Sequence, residues 1–493
     1  MKHFSSDWTT WQRLCGKARH GALLLMLGGA APAAFGQSFA PVSTYPAATN
    51  GELYAIALGD VSGDGQADIV TVNFGNTTAG VQVGLAGGGF APVVSYATAP
   101  SNAPTPSGGA PQGVALGDVN GDGRLDIVAA NTFASNVGVL LGQASGGFAP
   151  FSTYSAGANS APRGVALGDV NGDGRLDIVT ANGFLGTVGV LLGQAAGGFA
   201  APSAYATGPN GSSGVSIPYG VALGDVNGDG RLDIVAANRD GNNVGVLLGQ
   251  AAGGFAAFVN YSTGNSSSPV SVALGDVNGD GRLDIVTANS GGTAGVLLGQ
   301  AGGGFAAVVG YATGPLGSNP TGIALGDVNG DGRLDLIAAN YGTNDVGVLL
   351  GQASGFAAVS RFAAGAGSRP TAVAVGDLNG DRRLDIATAN YGTSAVGVLL
   401  NTGTYTPLAT ARPAAADVAI YPNPARDGFT VHLPTDFAAS QAELLNSLGQ
   451  VVRRPAVGGA TSFRVETNGL AAGLYTLRLQ ASGAALARRV AVE

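Results

Sequence analysis

A nine-residue acidic loop recurs seven times along this chain, and its spacing restricts the fold more than any other feature. The clearest copy reads Asp118-Val119-Asn120-Gly121-Asp122-Gly123-Arg124-Leu125-Asp126; the others start at Asp60, Asp169, Asp225, Asp276, Asp327 and Asp377. Successive starts lie 50 to 58 residues apart. A period of that length marks stacked supersecondary units, each needing its neighbours to bury its apolar faces.

Oxygen-bearing side chains occupy loop positions 1, 3, 5 and 9, a pattern suited to a hard cation that takes about six to eight oxygens. Calcium fits it best, up to seven ions in all. In the second copy Asp118, Asn120, Asp122 and Asp126 are the expected side-chain ligands and Arg124 contributes its backbone carbonyl. The first copy offers Asp60, Ser62, Asp64 and Asp68; the third Asp169, Asn171, Asp173 and Asp177; the fourth Asp225, Asn227, Asp229 and Asp233. The last three offer Asp276, Asn278, Asp280 and Asp284, then Asp327, Asn329, Asp331 and Asp335, then Asp377, Asn379, Asp381 and Asp385. A single Asp/Asn/Gly turn needs no metal, because these residues favour turns for their own reasons. Seven convergences of three carboxylates are not explained that way.

Charge agrees with this reading. Twenty-one of the 31 acidic residues lie in the loops, so the net charge of −8 belongs to the expected metal sites. No basic stripe points to nucleic acid. An EF-hand also begins with this pattern, but it needs an acidic residue at position 12 and flanking helices. Position 12 here is Ala129, Ala236 or Thr287, and each loop runs into a β-branched stretch that reads as a strand.

With 45% hydrophobic and 11% charged residues, the chain can fill several cores. Each unit holds four short β-type runs, in the second copy 90–96, 113–116, 126–131 and 137–141, the acidic loop joining the second to the third. The runs are apolar with little alternation, as in sheets covered on both faces. Four-stranded sheets repeated radially make a β-propeller, and seven loops imply seven blades. The stretch Phe39 to Tyr45 matches Phe90 to Tyr96, whereas no such run follows Leu400. The last blade therefore lacks a strand unless the N-terminal run fills it. An open β-solenoid is the rival architecture; it needs no such matching of ends.

The repeated Gly-Gly-Phe-Ala-Pro and Val-Ala-Leu-Gly-Asp-Val-Asn-Gly-Asp-Gly-Arg-Leu-Asp-Ile-Val resemble FG-GAP/VCBS repeats, like those in integrin α-chain heads. The resemblance implies a seven-bladed propeller over residues 37–400, with calcium in the loop between the first and second strands of each blade. Two copies depart from the pattern. Ser62 replaces Asn in the first, and Arg382 replaces the position-6 Gly in the seventh, where a positive φ is favoured. The site at Asp377 is therefore expected to be the weakest.

Gly21 to Ala34 is too short to span a bilayer and follows Lys17 and Arg19, which reads as a signal peptide over 1–36, cut before Gln37. Its removal takes the only Cys, Cys15, with it. A linker at 401–416 leads to a small β-sandwich at 417–493. There Tyr421-Pro422-Asn423-Pro424, Gly473-Leu474-Tyr475 and Arg488-Arg489 resemble the C-terminal sorting domain of type IX secretion. That implies export by the type IX machinery and release or attachment at the outer surface of a Gram-negative bacterium.

His432, in the tail, is the only His after the leader, so Cys/His and Ser/His triads are excluded from the repeats and no enzyme is expected. Arg239 with Asp240, and Asp345 beside Tyr341, are the polar departures that a catalyst would use; both also read as solvated loop residues. Binding is better supported. Phe74, Phe133, Phe184, Tyr341 and Tyr391 stand at matching places in loops opposite the acidic ones, where rings hold sugars or a protein surface or else pack on the next blade. The reading is a secreted or surface-attached calcium-binding adhesion module for a glycan or protein. A calcium-dependent polysaccharide-active enzyme and a surface-layer component are the alternatives.

Overall fold

The computed structural model describes residues 38–403, apart from 49–50, 101–107, 209–215 and 252, and residues 419–492, apart from short stretches at 422–427, 434–438, 446–450, 458–461, 469, 471–472 and 482–483. The leader and most of the linker lie outside the described residues. The chain forms two compact units, up to Tyr405 and from Thr406.

The first unit contains seven four-stranded antiparallel sheets. In the first sheet the strands are Leu53–Gly59, Asp68–Asn73, Thr78–Gln82 and Val94–Ala97. The run at 90–96 thus closes the sheet of the preceding repeat as its outer strand. Each innermost strand packs on its counterparts in the two neighbouring sheets, and that of the seventh, Pro370–Gly376, meets Leu53–Gly59 of the first. The result is a closed seven-bladed β-propeller. The first three strands of each blade are buried almost throughout, which explains their continuous apolar sequence, while the outer strand is largely exposed.

The seventh blade is completed from the other end of the unit: Ser43–Pro46 pairs with Ala395–Leu399, in register Ser43 to Val398. Close blade contact depends on small residues at the ends of the inner strands. A Cβ on Gly117 would lie 2.9 Å from Cδ1 of both Leu167 and Leu176 of the next blade, and one on Gly376 would meet Leu58 across the seam.

Aromatic pairs repeat between adjacent blades. Tyr96 meets Phe148 edge-on at 5.3 Å, Tyr154 meets Phe199 at 5.1 Å, and Tyr45 meets Phe90 at 5.2 Å.

The second unit has a three-stranded sheet, Ala419–Tyr421, Gly428–His432 and Ser462–Glu466, and a four-stranded sheet, Val451–Arg453, Ala439–Leu445, Gly473–Ala481 and Ala484–Val492. Phe429, Val431 and Val465 from one sheet and Leu444, Leu477 and Val490 from the other share one core, which makes it a β-sandwich. His432 lies on the first of these sheets. Among the described residues no helix is long and apolar enough to cross a membrane.

Acidic loops at one end and aromatic rings at the other

Each acidic loop joins the innermost strand of a blade to the second. Gly117 pairs with Asp126, so position 9 opens the second strand. Position 1 organises the turn: Asp118 Oδ1 accepts the N–H groups of Gly121 (2.7 Å) and Asp122 (2.9 Å), and Oδ2 accepts that of Gly123 (2.7 Å). Gly121 and Gly123 reach these positions with φ of +78° and +85°. Position 9 ties the loop to the segment just after the third strand, Asn136–Leu140. Asp126 Oδ2 accepts Val119 N–H at 2.9 Å, and Oδ1 accepts Gly142 N–H at 2.7 Å. A Cβ at Gly142 would sit 2.6 Å from the Leu125 carbonyl, so glycine fits there.

The position-9 carboxylates carry the unusual electrostatics. Asp68, Asp126, Asp177, Asp233, Asp284, Asp335 and Asp385 have no exposed surface. Burial pushes the pKa of each above the ordinary carboxylate value, to about 7 at Asp335 and about 6 at Asp385, although backbone N–H groups act the other way. Among the described residues no Arg pairs with any of the seven. Position 5 is different. At Asp122 desolvation raises the pKa, but hydrogen bonds from Asn120 and Arg124 outweigh it, and Arg124 forms an ion pair with this carboxylate. Arg175, Arg231, Arg282 and Arg383 form the corresponding ion pairs with Asp173, Asp229, Asp280 and Asp381.

Three Asp and one Arg leave a loop of the common type with a net charge of −2, matched to one divalent ion. The first loop, with Gln66 at position 7, carries −3, and the seventh, with Arg382 and Arg383, only −1. Arg382 holds φ of +66°, in the left-handed region that disfavours a side chain. The all-oxygen donors and the uncompensated buried charge fit calcium. The carboxylates are nevertheless turned onto the loop's own N–H groups, and among the described residues no three acidic, His or Cys side chains converge closely enough to hold an ion. A position-9 carboxylate accepting two hydrogen bonds retains acceptor capacity on both oxygens.

At the opposite end the rings gather. Register pairs Leu53 with Asn73, which places Tyr54 and Phe74 together at the start of the innermost strand. Phe74 stacks on Tyr54 at 4.7 Å and meets Phe133 of the second blade at 5.6 Å. Tyr54 also meets Tyr391 of the seventh blade at 5.6 Å, and Tyr391 lies 6.2 Å from Tyr341 of the sixth. Five rings thus form an arc across four blades. Phe74, Tyr341 and Tyr391 directly follow the strand-ending Asn, whereas Phe133 and Phe184 stand one place further on, so the five positions are not equivalent. Phe184 is 58% exposed and, among the described residues, meets no other ring. Tyr54 was missed from sequence; the signal was a Tyr at the second place of an inner strand, a place held by Gln112, Arg163, Tyr219, Val270, Thr321 and Thr371 in the other blades.

The third and fourth blades make the mouth cationic. Arg163 lies over the Tyr219 ring at 4.2 Å, and Arg239 Nη1 donates to the Tyr219 hydroxyl at 2.9 Å. Asp240 is on the rim, 4.0 Å from Arg239. Asp345 instead is buried inside its blade, ion-paired to Arg361 and accepting Asn340 Nδ2 at 2.8 Å, so it acts as a structural anchor. The Tyr391 hydroxyl donates to Glu52 Oε1 at 2.8 Å; burial, with this bond, drives the phenol pKa above its ordinary value.

The FG-GAP-like repeat pattern matches residues 118–180, 170–236, 225–287, 276–338 and 327–388, together more than half of the chain. The chain belongs to the FG-GAP-like repeat family. Its matched FG-GAP-like segments take in six of the seven acidic loops, from Asp118 to Asp385. Residues 419–493 match the secretion system C-terminal sorting domain, so this FG-GAP-like propeller is a sorted module of the cell surface or extracellular space. No curated protein matches the chain. Among solved structures, a catalytically inactive virginiamycin B lyase from Staphylococcus aureus with quinupristin is 15% identical, over 74% of this chain and 99% of that one, with a TM-score of 0.50. An Agrocybe aegerita lectin, described as recognising non-reducing terminal N-acetylglucosamine, is 20% identical over 69% of this chain and 86% of its own, with a TM-score of 0.43. At 15% identity the likeness to the lyase concerns the fold alone.

Proposed function

We propose that this FG-GAP-like propeller is a calcium-stabilised adhesion or binding module that takes an extracellular glycan or protein at its aromatic mouth. The observation carrying this reading is the arc of Phe133, Phe74, Tyr54, Tyr391 and Tyr341. It breaks the near-identity of the blades at the end where propeller loops converge; Tyr54 itself is buried, while Phe74, Phe133, Tyr341 and Tyr391, each partly or fully exposed, offer apolar surface beside hydroxyl and amide groups.

Calcium would be held in each acidic loop by the side chains at positions 1, 3, 5 and 9, supplying the positive charge that the buried position-9 carboxylate lacks. These loops lie at the other end of the inner strands from the rings. Metal therefore supports binding by rigidifying the ring of blades, through its preference for the folded state. With no His or Cys in the ring and Asp345 engaged by Arg361, we read the mouth as binding its ligand without turning it over. A glycan array probed with and without chelator, beside a lyase assay on acidic polysaccharides, tests this. Retained binding without turnover agrees with it; cleavage of any polymer favours an enzyme.

A further inference from the structure

We propose that the ligand is a carboxylate-bearing glycan, a uronic-acid chain whose sugar faces lie on the rings and whose carboxylates meet Arg163 and Arg239. This rests on the mouth reading above and specifies its ligand class. The ring of blades has eleven Arg and no Lys. Seven of the eleven lie in the acidic loops, and Arg361 pairs with Asp345. The three that remain, Arg163, Arg239 and Arg369, all stand at the mouth: Arg163 is the second residue of its inner strand, Arg239 follows the strand-ending Asn238, and Arg369 precedes Pro370 and lies over Tyr341 at 5.9 Å.

Among the described residues Arg163 has no counter-charge. Its Nη1 donates to Gln112 Oε1 at 3.2 Å, its Nε is enclosed without a hydrogen-bond partner among the described residues, and no carboxylate pairs with it there. A half-buried guanidinium without a counter-charge is costly; with Nε enclosed, a ligand carboxylate would supply that charge through the Nη groups. Stacking on Tyr219 fixes the plane of the guanidinium, which favours the two-pronged contact that a planar carboxylate makes. Gly183 is built for this arrangement, since a Cβ there would lie 2.7 Å from Arg163 Nε.

The rings and cations around the mouth follow one another in blade order. The series runs from Arg369 and Tyr341 through Tyr391, Phe74 and Phe133 to Arg163 and Arg239, with the buried Tyr54, Gln112 and Tyr219 holding Tyr391, Phe74 and the two Arg side chains from within. Of the two acids there, Glu52 is engaged by Tyr391 and Asp240 flanks Arg239, so positive charge is in excess on a protein whose net charge is −8. Partly exposed rings on the sixth, seventh, first and second blades give apolar surface for the faces of successive pyranoses. An acidic peptide brings the same charge but no such faces.

The test is calorimetry on the full chain in calcium, with three probes: a short oligogalacturonate, its methyl ester, and a poly-aspartate of equal charge. The oligogalacturonate should bind at least about tenfold more tightly than the ester, the difference made by hydrogen bonds to a charged group. Arg163→Gln and Arg239→Gln should each reduce that preference, Arg163→Lys should keep part of it, and Phe133→Ala should weaken acid and ester alike. Equal binding of acid and ester, an unchanged preference in both Gln variants, tighter binding of poly-aspartate, or no binding of the oligogalacturonate each overturns the uronate assignment and leaves the mouth reading standing. If Phe133→Ala and Tyr341→Ala leave oligogalacturonate affinity untouched, the mouth reading itself fails. Melting curves of every variant separate lost recognition from lost folding.

Discussion

The Phe39 ring stands edge-on to that of Phe362, 4.9 Å between centroids, although 323 positions separate the two residues. Phe362 holds the place that Tyr holds in the outer strands of the other blades, and Phe39 holds that of Phe90 and Phe148. One inter-blade contact therefore doubles as the clasp of the ring, backed by Ala40 N–H to Leu400 O at 2.8 Å and Thr402 N–H to Ser38 O at 2.8 Å.

Phe39→Ala should destabilise the propeller by about 1–2 kcal/mol, the range of a partly buried aromatic pair with its packing. Removing residues 38–46 should cost more and leave the Ala395–Leu399 strand as an open edge. Urea melts measure the first effect, and light scattering reads the self-association expected of the second. A truncated protein that stays monomeric with an unchanged midpoint would show that the clasp is dispensable.

Calcium should raise the melting temperature, and the ions should not bind equally. The Asp377 loop, with the smallest net charge and Arg382 at positive φ, should fill last. Arg382→Gly removes both the strain and one cation, so it should stabilise the fold by about 1 kcal/mol and strengthen this site. Metal analysis along a calcium titration checks it; seven indistinguishable sites in the natural protein would contradict it.

Tyr391 gives the mouth a pH signature. Its phenol pKa lies above the ordinary value near 10 in the folded state because burial and the Glu52 carboxylate oppose the phenolate. Between the unfolded and the folded pKa, the unfolded chain loses this proton and the folded one keeps it. Stability from this group is thus complete below pH ~10 and declines as pH rises beyond it. Absorbance titration of the folded protein should show one late tyrosine, and Glu52→Gln should bring it earlier. A late phenol that ignores Glu52→Gln would remove this hydrogen bond from the account.

Deleting residues 419–493 should hold the propeller in the periplasm, because the matched sorting domain is what the secretion machinery reads. Cell fractionation decides it. Unchanged export would assign the sandwich another role.

Much of this was legible in advance because the repeat is local. The carboxylates of Asp118, Asp122 and Asp126 fall within one nine-residue loop, and the match between Phe39 and Phe90 foretold that the ends of the ring must meet. The cationic half of the mouth was not legible. Arg163 and Tyr219 are each unremarkable second residues of their strands, and only their meeting across a blade interface makes a site. Tyr54 escaped notice for the same reason, and Phe184, though aromatic and in the right loop, is one place out of step with Phe74 and, among the described residues, meets none of the other rings.

The chain's amino-acid order alone determined the number of blades, the phase of their strands and the placement of an acidic turn in each, since all three follow from short-range periodicity. Which odd residues face each other was decided by tertiary structure. Tyr391 and Glu52 lie 339 positions apart and meet only because the seventh blade closes onto the first, and a closed ring makes neighbours of residues that no periodicity relates.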